Sequence, residues 1–258
     1  GEFSQYGIDL QWTDVPEGTG KMCEMLRNDQ TDVAVILTEG IIKDIAAGNQ
    51  SVIVQTYVQT PLTWGIHVAY EAPYQTLNDL ENKTVAISRF GSGSHLMAVV
   101  NAHNNNWNTQ NLKFEVVNTI DNAVVALQNK TADYFMWERF MTKPLVDKKI
   151  FRKIADCPTP WPCFVIAVRK QFYEENQHVI SQILDIINAT TSEFKHIPSI
   201  DKTIAAKFDI QLNDVEQWLK STRWSQKKLD QKNFDTVMQY LTNLNIISTD
   251  LEYKNVIK

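Results

Sequence analysis

A strand that runs through a serine- and glycine-rich turn straight into a helix occupies residues 83–97, Lys-Thr-Val-Ala-Ile-Ser-Arg-Phe-Gly-Ser-Gly-Ser-His-Leu-Met. Such a unit restricts the chain to folds in which strands and helices alternate. Lys83 to Ser88 reads as a short buried strand and Arg89 to Ser94 as the turn. From His95, the apolar residues Leu96, Val99 and Val100 recur at helical spacing. The first N–H groups of that helix have no partner within it. Together with the positive end of the helix dipole, they make a seat for an anion or a strongly polar group. Gly91 and Gly93 let the backbone come close, Ser88, Ser92 and Ser94 add hydroxyls, and Arg89 adds a fixed charge. His95 is expected to orient the turn rather than to bind a metal. No Gly-Lys-Ser/Thr follows the glycines, so the turn is not a phosphate-binding P-loop, and its glycine spacing is not that of a dinucleotide site. Helix capping alone accounts for two of the three serines.

The same alternation extends along the chain to residue 168 and predicts an α/β protein. Strands are expected at Ile8–Thr13, Asp32–Leu37, Ser51–Tyr57, Thr63–Tyr70, Lys83–Ser88, Leu112–Val117, Asp133–Trp137 and Cys163–Val168. Helices are expected at about 19–28, 39–47, 94–105 and 121–129. Beyond residue 172 helical patterns dominate, with Val179, Ile183, Ile186 and Ile187 on one apolar face and Phe234, Val237, Met238 and Leu241 on another. A weak internal echo supports two similar lobes. Met25-Leu26-Arg27-Asn28 leads through Thr31-Asp32 into a strand ending at Thr38-Glu39, and Ala126-Leu127-Gln128-Asn129 leads through Thr131-Ala132-Asp133 into one ending at Trp137-Glu138. Ligands of open α/β sheets bind beyond the carboxyl ends of the strands, which places both pairs toward a shared cleft. Capping of the following helix is the plainer use of Thr38. The chain is expected to cross between lobes at Glu71–Asn82 and to return near Phe164–Arg169, giving lobe one as 1–75 and 169–258 and lobe two as 76–168, with a hinge between them.

Composition narrows the function classes. A length of 258 residues with 43% hydrophobic and 21% charged residues suits an ordinary folded core. A formal net charge of −5 and the lack of any basic run argue against nucleic acid as a partner. The longest apolar runs, such as Phe164–Val168, are of strand length. Cys157 and Cys163 enclose a Pro-rich loop, where they are either two thiols near a turn or a bridge in an oxidising compartment. No Cys or His stands at metal-ligand spacing beside them.

Gly1-x-Phe3-x-x-x-Gly7-Ile8-Asp9, Gly18-Thr19-Gly20, Asp32-Val33-Ala34, Asn78-Asp79-Leu80-x-x-Lys83-Thr84-Val85-Ala86, Gly93-Ser94 and Ala132-Asp133 follow one another along the chain. In that order these phrases resemble the type II periplasmic substrate-binding proteins, most closely the nitrate/sulfonate/taurine branch that also includes thiamine-pyrimidine-precursor members. The resemblance covers residues 1 to about 175 well and the C-terminal helices loosely. It implies a two-lobe fold with the helical C-terminal segment packed on lobe one, closing like a flytrap on a small molecule for an ABC transporter. It further implies a periplasmic or extracytoplasmic monomer that works with a permease. Members of that family carry a strand and a helix ahead of the Gly-x-Phe segment, at which this sequence begins, so that unit is expected to lie outside it.

By position and analogy, the ligand should meet Gly18, Thr19, Thr38, Glu39, Thr63 and Trp64 from lobe one, and Ser88, Arg89, Ser92, Gly93, Ser94, His95, Trp137, Glu138 and Trp161 from lobe two. The tryptophans suit stacking on a planar or cationic ligand, and plain core packing is the alternative for each. Glu39 and Glu138 either bind a ligand amine or balance Arg89 and Arg139, and an ion pair with its neighbour Arg139 is expected for Glu138. Arg89 favours an anionic group, whereas the glutamates and tryptophans favour a cation or heterocycle. No catalytic residues, cofactor or metal are expected, since Ser94 beside His95 is only adjacency. The rival reading is an enzyme of the same fold, resembling a thiamine-pyrimidine synthase or a menaquinone-pathway enzyme. The former would want pyridoxal phosphate, a cysteine-rich motif that is absent here, and a cleft lysine, for which Lys143 is the nearest candidate.

Overall fold

Two separate β-sheets organise the chain in the computed structural model, which describes residues 1–258. The strands are β1 (Val33–Leu37), β2 (Ser51–Val58), β3 (Thr63–Ala69), β4 (Thr84–Ile87), β5 (Lys113–Val116), β6 (Tyr134–Glu138), β7 (Phe151–Pro158) and β8 (Phe164–Arg169). The helices are α1 (Glu2–Gln5), α2 (Thr19–Arg27), α3 (Thr38–Ala46), α4 (Gly93–Asn104), α5 (Ile120–Gln128), α6 (Lys143–Asp147), α7 (Lys170–Glu175) and α8 (Gln177–Glu193). Four more follow: α9 (Ile200–Phe208), α10 (Leu212–Ser221), α11 (Gln231–Asn243) and α12 (Tyr253–Val256). The chain has the expected α/β class, and no helix is long and apolar enough to cross a membrane.

The first unit comprises Gly1–Thr60 and Pro160–Lys258. Its sheet has the order β1-β8-β2, with β8 antiparallel to both neighbours. Val52 and Val54 of β2 and Ile166 and Val168 of β8 form a core with Ile180 and Ile183 of α8. The predicted apolar face of α11 is buried through Phe234, Val237, Met238 and Leu241. The end of the chain returns to the sheet, where the Lys258 N–H donates to the Ile53 carbonyl. The C-terminal helices thus belong to the same unit as the first strands, as expected.

The second unit is Pro61–Thr159, with sheet order β5-β4-β6-β3-β7. β4 is parallel to β5 and β6, while β3 runs antiparallel to β6 and β7. Parallel neighbours need crossovers, and α4 and α5 supply them between β4, β5 and β6. Ala123, Ala126 and Leu127 of α5 pack on Ala86, Phe135 and Phe151.

Three expectations change. Ile8–Thr13 alternates as a strand should, yet it joins neither sheet, and Leu10 and Trp12 on it are exposed. β7, unseen in the sequence, is an edge strand that carries Arg152, Lys153 and Asp156. The crossings between units fall at Thr60/Pro61 and Thr159/Pro160, not at 75/76 and 168/169. Pairing explains the shift, because β3 belongs to the sheet of β6 and β7 and β8 to the sheet of β1 and β2.

Candidate functional site

Strand direction gathers most of the expected residues of the second unit at one end of its sheet. Ser88 follows the last residue of β4, and Trp137 and Glu138 end the parallel β6. β3 runs the other way, with Trp64 opposite Glu138, so Thr63 and Trp64 at its start reach the same end. α4 begins there with Ser92 as its N-cap, and α5 begins there with Thr119 as its N-cap. Asn118, which donates its N–H to the Ser88 carbonyl and holds a left-handed φ of 63°, joins them. The sequence reading missed Asn118 and Thr119. The signal was present in the Asn-Thr pair two residues ahead of the acidic first turn of α5.

The three serines form one connected cluster. Ser94 Oγ accepts from the Ser88 N–H at 2.9 Å and lies 3.3 Å from Ser88 Oγ and 3.1 Å from Ser92 Oγ. Ser92 Oγ donates to the Arg89 carbonyl at 2.6 Å and accepts from the His95 N–H at 3.4 Å, so Ser92 works as a cap. The N–H groups of Gly93 and Ser94 have no acceptor in the chain. His95 Nδ1 accepts from the Gly91 N–H at 3.1 Å, which orients the turn as predicted. Its ring lies edge-on between Phe90 and Phe114, at 5.3 and 4.8 Å. Arg89 is exposed.

Gly93 is where the backbone must be bare. A Cβ there would lie 2.9 Å from Cη2 and 3.1 Å from Cζ2 of Trp64. That same edge of the indole carries Nε1, which is buried without a hydrogen-bond partner. Trp64 meets Trp137 edge-on at 6.0 Å, and Trp137 stacks on Phe135 at 5.4 Å with 18° between the rings. Trp137 is half-buried and Trp64 buried. Thr63 pairs with Pro158 and accepts the Arg139 N–H on its carbonyl.

Glu138 does not form the expected ion pair with Arg139. Its Oε2 accepts the N–H groups of Phe140 and Met141, both at 2.9 Å, while Arg139 pairs with Asp156 at 3.6 Å. Successive side chains at a strand end point to opposite faces, so sequence neighbours there are poorly placed to meet. Burial raises the Glu138 carboxyl above its ordinary range, against the opposing effect of the two amides.

The remaining expected residues form a separate group in the first unit. Gly18 is the N-cap of α2 with φ 77°, and Thr19 opens that helix. The Thr19 methyl sits where a Cβ on Gly40 would fall, which brings the starts of α2 and α3 together. Thr38 is fully buried, and its hydroxyl donates to the Pro162 carbonyl at 2.6 Å. It ties the start of α3 to the segment that leads into β8. Glu39 Oε2 accepts from Trp161 Nε1 at 2.8 Å, while Oε1 is buried without a partner. Burial raises the Glu39 carboxyl above its ordinary range. Trp161 is 1% exposed and meets Tyr240 of α11 edge-on at 5.6 Å, which makes it a core residue of the first unit and not of the second. The cysteines are three buried free thiols, so Cys157 and Cys163 form no bridge.

Comparison with known proteins agrees with this architecture. The family model described as Ca3427-like PBP matches residues 64–157, nearly the whole of the second unit. No curated protein sequence matches the chain. Among solved structures, the Candida albicans CA3427 gene product, described as defining a new family with the generic periplasmic binding protein fold, is 24% identical. It superposes with a TM-score of 0.88 over 100% of this chain and 89% of its own. The alkanesulfonate-binding protein SsuA from Xanthomonas axonopodis pv. citri, bound to MOPS, is 14% identical with a TM-score of 0.83, covering 100% of this chain and 90% of its own. The periplasmic aliphatic sulphonate binding protein SsuA from Escherichia coli is 17% identical with a TM-score of 0.79, covering 99% and 84%. The chain has the type II periplasmic-binding-protein fold, in the form shared with the sulfonate-binding proteins.

Proposed function

We propose that the chain is a solute-binding protein that captures a small molecule through an acidic or hydrogen-bond-accepting group seated at the start of α4. The observation that carries this reading is a one-sided hydrogen-bond inventory. The Gly93 and Ser94 N–H groups and Trp64 Nε1 are donors without acceptors, and they lie around the same glycine. The dipole of a twelve-residue helix adds to them. The glutamates, which in the sequence favoured a cationic ligand, already accept from protein donors. Trp137, half-buried beside Trp64, offers a ring for the body of the ligand. Delivery to an ABC-type permease from an extracytoplasmic location follows by likeness to the sulfonate-binding structures.

A thermal-shift and calorimetric panel of sulfonates, inorganic oxyanions, pyrimidines, thiamine precursors and pyridoxal phosphate tests the proposal. An oxyanion or sulfonate recovered unchanged supports capture. Ser92→Ala combined with Ser94→Ala should then weaken binding by roughly 1–3 kcal/mol. Unchanged affinity in the double variant removes the two hydroxyls from the binding mechanism, and unchanged affinity in Trp64→Phe, which keeps an aromatic ring but lacks the Nε1–H donor, removes the seat. A Schiff-base absorbance with pyridoxal phosphate would replace the proposal with the enzyme reading.

A further inference from the structure

The C-terminal helical segment of the first unit holds a groove of about 200 Å³, lined by Lys195, His196, Arg223, Trp224, Gln226 and the hydroxyls of Thr191 and Ser192. That volume equals roughly seven waters at liquid density, enough for a single-ring molecule. The chain carries a net charge of −5, yet three basic side chains line this groove. Glu193 lies 3.5 Å from His196. No carboxylate lies within ion-pair distance of Arg223 or Lys195.

The walls are held in place by the chain itself. Lys195 Nζ donates to the Thr222 carbonyl at 2.6 Å and sits 5.8 Å from the centre of the Trp224 ring. Phe194 and Trp218 brace that ring edge-on at 5.1 and 6.1 Å. The Arg223 backbone is fixed to Gln59 and Thr60, which leaves its guanidinium exposed and unpaired. Gln226 Nε2 donates to Ser192 Oγ at 2.8 Å, Ser192 Oγ donates to the Asn188 carbonyl at 2.8 Å, and Thr191 Oγ1 donates to the Ile187 carbonyl at 2.9 Å.

Counting protons separates the groove into two halves. At the Arg223, Lys195 and His196 end the free groups are charged or ring N–H donors, and Arg223 presents the planar fork that matches a phosphate. At the Thr191, Ser192 and Gln226 end the hydroxyl protons are spent on backbone carbonyls. What remains there is acceptor capacity, on the two hydroxyl oxygens and the Gln226 amide oxygen. Trp224 also lines the groove, an apolar ring suited to the C–H face of a saturated ring. We propose that this groove binds a small phosphorylated polyol or sugar, with its phosphate on Arg223 and Lys195 and its hydroxyls donating to Ser192 and Gln226.

Titration calorimetry with glucose 6-phosphate, glucose and inorganic phosphate, together with backbone-amide NMR shifts, tests the assignment. The sugar phosphate should saturate, bind at least fivefold tighter than inorganic phosphate, and move resonances of residues 191–196 and 222–226. Glucose alone should not bind measurably. Arg223→Gln should weaken the sugar phosphate at least tenfold, and since this side chain has no partner in the chain the fold should persist. Equal affinity for inorganic phosphate would overturn the polyol half of the assignment. Shifts confined to residues 88–95, or loss of binding in the Ser92→Ala and Ser94→Ala double variant but not in Arg223→Gln, would place the ligand at α4 and overturn the groove altogether.

Discussion

His67 makes the stability of the second unit depend on pH between about 4 and 6.5. It lies in the middle of β3, fully buried, with Nε2 2.9 Å from Thr142 Oγ1 and Nδ1 without a partner. The ring folds back over Gly65, where a Cβ would come within 2.5 Å of its Cε1, and it packs at 5.7 Å from Phe151. Burial is the main reason that the pKa falls from 6.5 to about 4. The sign follows from proton counting. Between these values the unfolded chain binds a proton at His67 and the folded unit does not, so stability is lost as the pH falls from 6.5 toward 4. A drop from 6.5 to about 4 corresponds to roughly 3 kcal/mol over the whole window and about 2 kcal/mol by pH 5. Glu39 and Glu138 act the other way, because burial raises both, so their contribution to stability is fully present below pH 4.5 and is lost as the pH rises above it. The wild-type curve alone therefore understates the effect. Urea unfolding followed by circular dichroism at pH 4, 5, 6 and 7 should be run on the wild type and on His67→Gln, whose amide can still meet Thr142. The stability difference between them should shift by about 3 kcal/mol across the window, whatever its constant offset. Parallel curves would show that His67 takes up its proton in the folded state at its ordinary pKa and would refute the reasoning.

Two further outcomes follow from the packing. Gly93→Ala drives a methyl to within 2.9 Å of a rigid indole edge and should cost about 1–3 kcal/mol. An unchanged unfolding midpoint would mean that Trp64 does not rest on that backbone. Cys23 and Cys157 are buried, and burial pushes their thiols up to about 12 and about 11. Ellman's reagent at pH 8 should find them inert until urea unfolds the chain, and immediate titration in buffer would contradict both their burial and their protonation.

Much of the architecture was legible because apolar periodicity tracks burial. The faces of α8 and α11 and the strand–turn–helix at 83–97 are where the pattern put them. What failed were properties of pairing. Ile8–Thr13 has the alternation of a strand, but a strand exists only where another backbone meets it. β7 lies at a sheet edge, where Arg152, Lys153 and Asp156 reach solvent and Pro158 ends it, so its apolar signal is broken by the charges that an edge tolerates. The sequence order of β3 and β8 says nothing about which sheet each will join, and this is why the division between units moved.

The same limit decides the candidate site, where Trp64 and Trp161 read alike in the sequence and differ in the fold. Both are buried, and each is placed beside the start of a helix. Trp161 finds Glu39 in the first turn of α3 and spends its N–H on that carboxylate. Trp64 meets Gly93 in the first turn of α4, where there is no side chain to accept, and its N–H is left over. A buried donor without an acceptor costs about 1–3 kcal/mol. The second unit therefore stores an unmet demand for an acceptor beside the two unpaired amides of α4, whereas in the first unit the indole N–H is satisfied by Glu39 and the atom left over is that carboxyl's second oxygen, Oε1. That asymmetry weighs the anionic pull of Arg89 above the cationic pull of the glutamates, a conflict that residue types alone left even.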